Sequence, residues 1–499
     1  MNSALPLKRI LSWAALAAGA YGAVVFFYLA VLKLRYPYMV NLGEPALSQA
    51  VRLVSQGHLP YRDLHSPPFT LVPYGPVFLC LAAALKFVWA SPFTGGRVVT
   101  AAATLGSAAL IFVLSEKNGA SKKVSALAAL FFLSMPYVCR WGVLVNVDMT
   151  GVFLDLAAFY CWTLYADGNF SKPSFWIAGM ALSVAAFFTK TSMLAAPAAF
   201  FWYLAVRKEF KKAFLLFFFE ASAAALILAA LNAATHGGYF FHTVFEISKR
   251  RFFPEFIFRF WKGALDESPV MAAAALAGIV LSLRGGKKVF TGLYAFFALL
   301  LTFSLGKQGS DTNYFLPLCA ASAVSLGMIL GFCDSAGGKK TGAVLAGSAL
   351  YALLFSQLFL WVRPHFDLQA SRRSYEKSRE FLDHVSILVQ KTHGDILSED
   401  MSLLVANGKE IFYEPFPMGQ MSYSGVWNSK PILEALEAQR FPMAILTFYA
   451  PLLKRNRTFT PEFMEAFNRR YRYVGRAEPP DEAKELTNTL YFYAPRRSA

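Results

Sequence analysis

Stretches of about twenty apolar residues, separated by short polar or basic connections, recur along most of this chain. At 1.5 Å of helical rise per residue, such a stretch crosses a hydrocarbon core about 30 Å thick. The pattern predicts about 11–12 apolar segments, and so a polytopic α-helical membrane protein. The first segment, from about Ile10 to Leu32, follows Lys8 and Arg9. It is too long for a signal-peptide core and no small-residue cleavage site follows, so a retained span is expected.

Basic connections mark the cytoplasmic side. "RKEFKK" (207–212), "RGGKK" (284–288) and "GGKK" (337–340) predict spans near 213–233, 268–283, 289–304, 314–332 and 341–362. The loop 234–267, residues 305–313 and everything after about 363 then lie outside. Lys8 and Arg9 hold the N-terminus inside, which puts 34–72 outside. Counting back from 207 through the runs 191–206, 174–189 and 149–166 puts 140–148 outside as well. Three apolar runs remain between those two outside loops, 73–90, 98–115 and 124–139, and three crossings cannot join points on one side. Pro73, Pro76 and Lys86, with the lysine-rich 116–123 kept inside, single out 73–90 as the run that does not cross. The alternative is one long bent helix over 174–206, with Asp148 inside.

After residue 363 the pattern changes. Helix-like stretches at 371–391 and 460–470 alternate with strand-like "DILSE", "AILTF", "YRYVG" and "TLYFYA". A transmembrane part, 1–362, followed by a small α/β domain, 363–499, on the outer face is the expected organisation.

Composition changes this picture little. Charged residues make up 16% of the chain, and the mean hydropathy is +0.42. The formal charge of +17 would suggest nucleic acid in a soluble protein. Here the basic residues flank apolar runs, where they anchor loops, so no nucleic-acid partner is expected. Cys80, Cys139, Cys161, Cys319 and Cys333 form no CxxC pair and indicate neither a disulfide framework nor a zinc site. No separate metal-ligand set stands out, and dependence on a divalent cation is left open.

Candidate chemistry concentrates in the outer loops. In "NLGEPALSQAVRLVSQGHLPYRDLHSPP" (41–68), Leu47, Ala50, Val51 and Val54 share one helical face, and Gln49, Arg52 and Gln56 the other. This predicts a short amphipathic helix lying in the membrane interface. Prolines then fix an irregular path that can hold Glu44, Asp63 and His65 above the bundle. A partly buried Glu44 can serve as a general base, or it can simply favour the helix N-terminus. Lys190 lies between two apolar runs, where an unpaired charge costs about 2.5–3.5 kcal/mol. It can hold a phosphate or snorkel to the interface. "SKRRFFPEFIFRFWK" (248–262) interleaves Arg250, Arg251 and Arg259 with aromatic rings, which suits a lipid phosphate or a plain interfacial anchor. "GKQGSDTNYFLPL" (306–318) places Lys307, Asp311, Asn313 and Tyr314 at the outer mouth of a span, to touch substrate, while Asn313 and Tyr314 can equally cap the helix. Ser398, Glu399 and Asp400 read as a turn, and Asp155 as a partner for a basic residue.

The order of several motifs along the chain resembles the GT-C superfamily of polyprenyl-phosphate-dependent membrane glycosyltransferases. It resembles in particular the bacterial relatives of protein O-mannosyltransferases and aminoarabinose transferases. The residues that carry the resemblance are "GEPALSQAVRLVSQGHLPYRDL" (43–64), then "PP" and "YGPVF" (74–78), "NVD" (146–148), "FFTKTSMLAAP" (187–197) and "GKQGSDTNYFLPL". "ILSEDMSLLVANGKEIFYEPF" (396–416) is similar to the tail of such proteins. The resemblance implies a GT-C-like fold and an inverting transfer of a sugar from a polyprenyl phosphate to a lipid, polysaccharide or protein of the cell envelope. It also implies a multi-pass place in the cytoplasmic membrane, with the C-terminal domain extracytoplasmic. It makes Glu44 the base, although this chain has Gly43-Glu44 where many relatives have Asp. It makes Asp148 a second acidic position that helps bind acceptor or metal, and Lys190 a holder of the donor phosphate. A lipid-carrier flippase or polysaccharide transporter would instead place charges near mid-membrane and show related halves. A non-catalytic envelope-assembly subunit would keep the loops but tolerate loss of Glu44.

Overall fold

The structure is a computed structural model that describes residues 4–85, 91–286, 288–336, 341–362, 367–452 and 458–496. Apolar runs become helices, and polar or proline-bearing breaks end them. Helix α1 (Ala4–Arg35) is followed by α2 (Glu44–Val54), α3 (Pro76–Leu85) and α4 (Thr94–Lys117). Next come α5 (Lys122–Leu133) and α6 (Pro136–Trp141), restarted by Pro136, whose missing N–H is tolerated only in a first turn. α7 (Asp148–Asp167), α8 (Pro173–Phe187), α9 (Ala195–Val206) and α10 (Phe210–Ala234) follow. The second outer loop coils as α11 (Gly238–Phe240), a π turn (Phe241–Phe245) and α12 (Glu246–Lys249). α13 (Pro254–Glu267) then meets α14 (Pro269–Ser282) at a bend of 101°. α15 (Lys288–Leu301), α16 (Leu316–Ala336) and α17 (Thr341–Val362) complete the bundle. Among the described residues, six helices are long and apolar enough to cross a membrane, or up to seven if the bent pair is one span.

Side-chain contacts sort the connections into two ends. At one end Lys8 pairs with Asp334 at 2.8 Å, Lys123 donates to Ser12, and Thr291 donates to Asn118. At the other, Arg97 at the start of α4 meets Glu44, Val145 donates to the same carboxylate, and Trp141 donates to Thr312. The loops expected outside therefore converge on one end. The same contacts bear on the parity of the first half. Gly75, before α3, has no room for a Cβ against the carbonyl of Phe188, at the outer end of α8. Gly95, just after the run, packs against Ala82 and Leu85. The run 73–90 thus begins at the outer-loop end, and the described chain resumes at that end near Gly95. Its described helix is only about 15 Å long; residues 86–90, with Lys86, lie outside the described residues.

The tail folds as expected. α18 (Leu368–Lys391) leads into a four-stranded sheet of order β1-β2-β4-β3, formed by β1 (Ile396–Ser398), β2 (Met443–Leu446), β3 (Tyr471–Ala477) and β4 (Leu490–Pro495). β1 and β2 are parallel, and the other pairs antiparallel. α19 (Ser402–Ala406), α20 (Pro415–Tyr423), α21 (Lys430–Glu437) and α22 (Pro461–Arg470) cover it. The small domain docks on the first outer loop. Phe69 and Tyr413 form a parallel bridge, Trp427 donates to the carbonyl of Leu64 at 2.7 Å, and Tyr38 donates to Asp383.

This docking changes the reading of α2. The helix is amphipathic as expected, yet its polar face does not meet headgroups. Gln49 is buried and accepts from the N–H of Ile411 at 2.6 Å, and Arg52 donates to the carbonyl of Gly408. Polar side chains at helical spacing fit a protein surface as well as a lipid one, and only the fold tells them apart.

His242 ties the two large outer loops together. Its Nδ1 accepts from the N–H of Val72 at 3.1 Å, so the ring is neutral there, and Nε2–H donates to the carbonyl of Arg62 at 2.8 Å. Burial holds its pKa below the ordinary histidine value. The folded state then binds fewer protons than the unfolded one. The stabilisation is complete above about pH 6.5 and falls with pH by about 1.4 kcal/mol per unit until the ring is charged in both states. Thermal midpoints measured between pH 7.5 and 5 are expected to drop more steeply for wild type than for His242→Phe. Parallel slopes would remove His242 as a cause.

Candidate functional site

A cavity of about 580 Å³ opens between the outer loops and the small domain. That volume suits a small-molecule substrate. Its bundle side includes Asn41, Tyr74, Asn146, Arg250 and Asn313, and its other side Glu399, Glu414 and Thr447.

The bundle side is built from chain breaks. α8 stops at Phe187 and α9 starts at Ala195, so Lys190 sits in the irregular stretch between them. Its ammonium meets Asp148 Oδ1 at 2.6 Å, with both side chains buried. Asn313 Nδ2 donates to the other oxygen of Asp148 at 2.9 Å. The ring of Tyr314 lies 3.8 Å from Lys190 Nζ, a cation–π contact. Asp148 opens α7 but spends both oxygens on Lys190 and Asn313. Asp155, further along α7, receives the N–H of Ala196 and so caps α9 rather than pairing with a basic residue. Arg250 reaches the same cavity, its guanidinium held by Glu246 at 2.9–3.0 Å.

Glu44 is placed differently. Arg97 grips its carboxylate with Nε and Nη2, at 2.9 and 2.8 Å. The backbone N–H groups of Val40, Asn41 and Val145 donate to it as well. Burial works against this charge, but Arg97 and the N–H donors outweigh it and hold the carboxyl below its ordinary range. Gly43 and Asn41 line the cavity; Glu44 does not. Nor does its side chain cap α2, whose N-cap residue is Gly43.

The remaining sequence candidates separate from this cluster. Asp63 and His65 are exposed on a second concavity, beside His58 and His236. Arg251 is exposed, and its carbonyl accepts from Gln308, while Lys307 bridges to Phe252 through backbone. Arg259 lies exposed on the amphipathic helix α13, and none of these three lines the cavity. Sequence reading missed Tyr74, Glu246 and Glu414 as members of the site, and Arg97 as the partner of Glu44. Tyr74 and Glu414 stood in quoted motifs, "YGPVF" and "IFYEPF", without a role. No local pattern marks the other two. Among the described residues no group of three or more His, Cys, Asp or Glu side chains is placed to hold a metal ion.

No protein-family model and no curated protein matches the sequence. Solved structures do. The crystal structure of ArnT, an aminoarabinose transferase from Cupriavidus metallidurans, bound to undecaprenyl phosphate, superposes with a TM-score of 0.59 at 11% identity. The match covers 96% of this chain and 97% of that one. The same enzyme in the apo state gives 0.56 over the same shares. The archaeal oligosaccharyltransferase AglB from Archaeoglobus fulgidus, in complex with an inhibitory peptide and a dolichol-phosphate, gives 0.51 at 11% identity, over 97% of this chain and 74% of that one. ArnT and AglB are both GT-C superfamily members. This chain, from its apolar bundle to its small C-terminal sheet, has the GT-C fold.

Proposed function

We propose that the protein is an inverting glycosyltransferase, which moves a sugar from a polyprenyl-phosphate donor to a cell-envelope acceptor at the outer face of the cytoplasmic membrane. The observation that carries this reading is the polarity of the cavity. Arg250 lines its bundle side, where a lipid phosphate would arrive, Lys190 lies behind that wall on Asp148, which the cavity-lining Asn313 also holds, and carboxylates of the small domain stand opposite. A phosphate diester on Arg250, with the charge of Lys190 behind the wall, would leave its sugar in the cavity and its polyprenyl chain toward the bundle. Undecaprenyl phosphate in ArnT and dolichol-phosphate in AglB support a donor of this class. Basic connections at the end away from the cavity support its outward orientation. No nucleotide-binding fold is needed, because such a donor carries its sugar on a lipid phosphate and not on a nucleotide.

The test is the full chain reconstituted in lipid with labelled polyprenyl-phosphate sugars and an envelope extract as acceptor. Sugar-dependent release of free polyprenyl phosphate is expected with at least one donor. Folded protein that releases none with any donor would move the reading to transport or scaffolding.

A further inference from the structure

The transferase reading needs a group that takes the proton of the acceptor hydroxyl, and the carboxylates around the cavity differ in their freedom to do so. Glu44 is locked by Arg97 and lies off the cavity. Asp148 is engaged at both oxygens by Lys190 and Asn313. Glu246 is paired with Arg250. Glu414 is different. It is 7% exposed and lines the cavity, and it has no cation within ion-pair distance among the described residues. Its backbone is fixed, because Phe69 donates to the carbonyl of Phe412 and Glu414 donates to that of Phe69. It is the N-cap residue of α20, yet its side chain makes no capping bond. Oε2 accepts from the N–H of Leu71 at 2.8 Å; Oε1 has no hydrogen-bond partner among the described residues. One oxygen is thus held in place and the other is available.

We propose that Glu414, supplied by the small domain, is the catalytic base of this transfer, an inference that rests on the glycosyltransferase reading. The acceptor oxygen forms its bond to the anomeric carbon as the bond from that carbon to the phosphate oxygen breaks. That electron pair leaves with the polyprenyl phosphate, and the acceptor proton passes to Glu414 Oε1. Three carriers remain in balance: glycosylated acceptor, polyprenyl phosphate as its dianion, and protonated Glu414. Asp311 and Asp400 also line the cavity without a cation among the described residues, but Asp311 is exposed and Asp400 Oδ1 is bound by both the N–H and the hydroxyl of Ser402. Glu399 is a weaker candidate too. Its Oε2 is held by both the N–H and the hydroxyl of Thr447, and it does not sense the bundle charges. Glu414 does sense them, with Arg250 lowering and Glu246 raising its proton affinity. Burial is the largest influence and pushes its pKa up to about 8. A proton affinity near the working pH suits a general base.

The experiment compares wild type, Glu414→Gln and Glu414→Asp, reconstituted in lipid with the donor that wild type turns over. Wild-type kcat/KM is expected to rise with pH through about 8. Glu414→Gln should lose about 100-fold or more in kcat together with that rising limb. It should keep the wild-type thermal shift on binding free polyprenyl phosphate, and Glu414→Asp should recover part of the rate. A Gln variant with wild-type kcat and an unchanged pH limb overturns the proposal. So does a Gln variant that loses the polyprenyl-phosphate shift along with the rate, since Glu414 would then only shape the site. Wild type that releases no polyprenyl phosphate with any donor overturns the transferase reading itself, and this inference with it.

Discussion

Arg97→Met is expected to destabilise the protein by about 3–5 kcal/mol, the usual cost of stranding one member of a buried ion pair. Arg97 is fully buried and Glu44 nearly so. Removing the guanidinium leaves the Glu44 carboxylate buried without a counter-charge. It also strips a donor from the carbonyls of Lys33, Tyr36 and Tyr38, at 2.5–2.6 Å. Those carbonyls belong to the end of α1 and the start of the first outer loop, so the loss spreads to the whole loop. A double variant, Arg97→Met with Glu44→Leu, removes both charges and should recover part of the loss, but not the three carbonyl bonds. Thermal midpoints in detergent, followed by intrinsic fluorescence, measure all three proteins. An Arg97→Met midpoint equal to wild type would show that the pair ties nothing together, and would return Glu44 to the list of candidate bases. With the tie intact, Glu44→Gln is expected to lower the midpoint, because a side-chain amide cannot accept at both ends from Arg97 and the three backbone N–H groups.

The second large effect is expected at Lys190. If its ammonium meets the phosphate as charge develops on the leaving oxygen, Lys190→Met should cut the rate of polyprenyl-phosphate release by about 10²–10³, the range seen when one such donor is removed. Lys190→Arg should retain part of the activity, because a cation stays near Asp148. The fold is expected to suffer too, since Asp148 keeps only Asn313 as a partner. Binding of free polyprenyl phosphate separates the two effects. A Met variant that is folded and binds the lipid phosphate as tightly as wild type, at an unchanged rate, would make the Lys190–Asp148 pair purely structural. The position of the pair, in the break between α8 and α9, gives reason to expect otherwise. A helix broken at the membrane face exposes backbone polar groups, which are tolerated in membranes where they line a cavity.

What this chain does by itself, and what only folding decides, divides along the range of the interactions. Repeated apolar runs of spanning length required a bundle, because a helix is the one segment that satisfies its own backbone in lipid. The strand-like stretches of the tail became β1 to β4 almost residue for residue, since alternation and β-branched or aromatic content act over a few neighbours. Asp148, Lys190, Asn313 and Tyr314 were each visible as polar residues at span ends, where a charge needs a reason. Their assembly into one cluster was not visible, because it depends on which span ends meet. The same holds for α2, whose polar face fits either headgroups or the small domain. Glu44 shows the limit most plainly. Its place before an amphipathic helix suggested a base, and Arg97, 53 positions along, took up its carboxylate instead. Glu414 shows the reverse: an acid unremarkable in the tail is carried into the cavity by the docking of Phe69 on Tyr413. Proton affinity and access are set by burial and by partners far away in sequence, so local pattern determined the elements and tertiary packing alone decided which carboxylate is free to act.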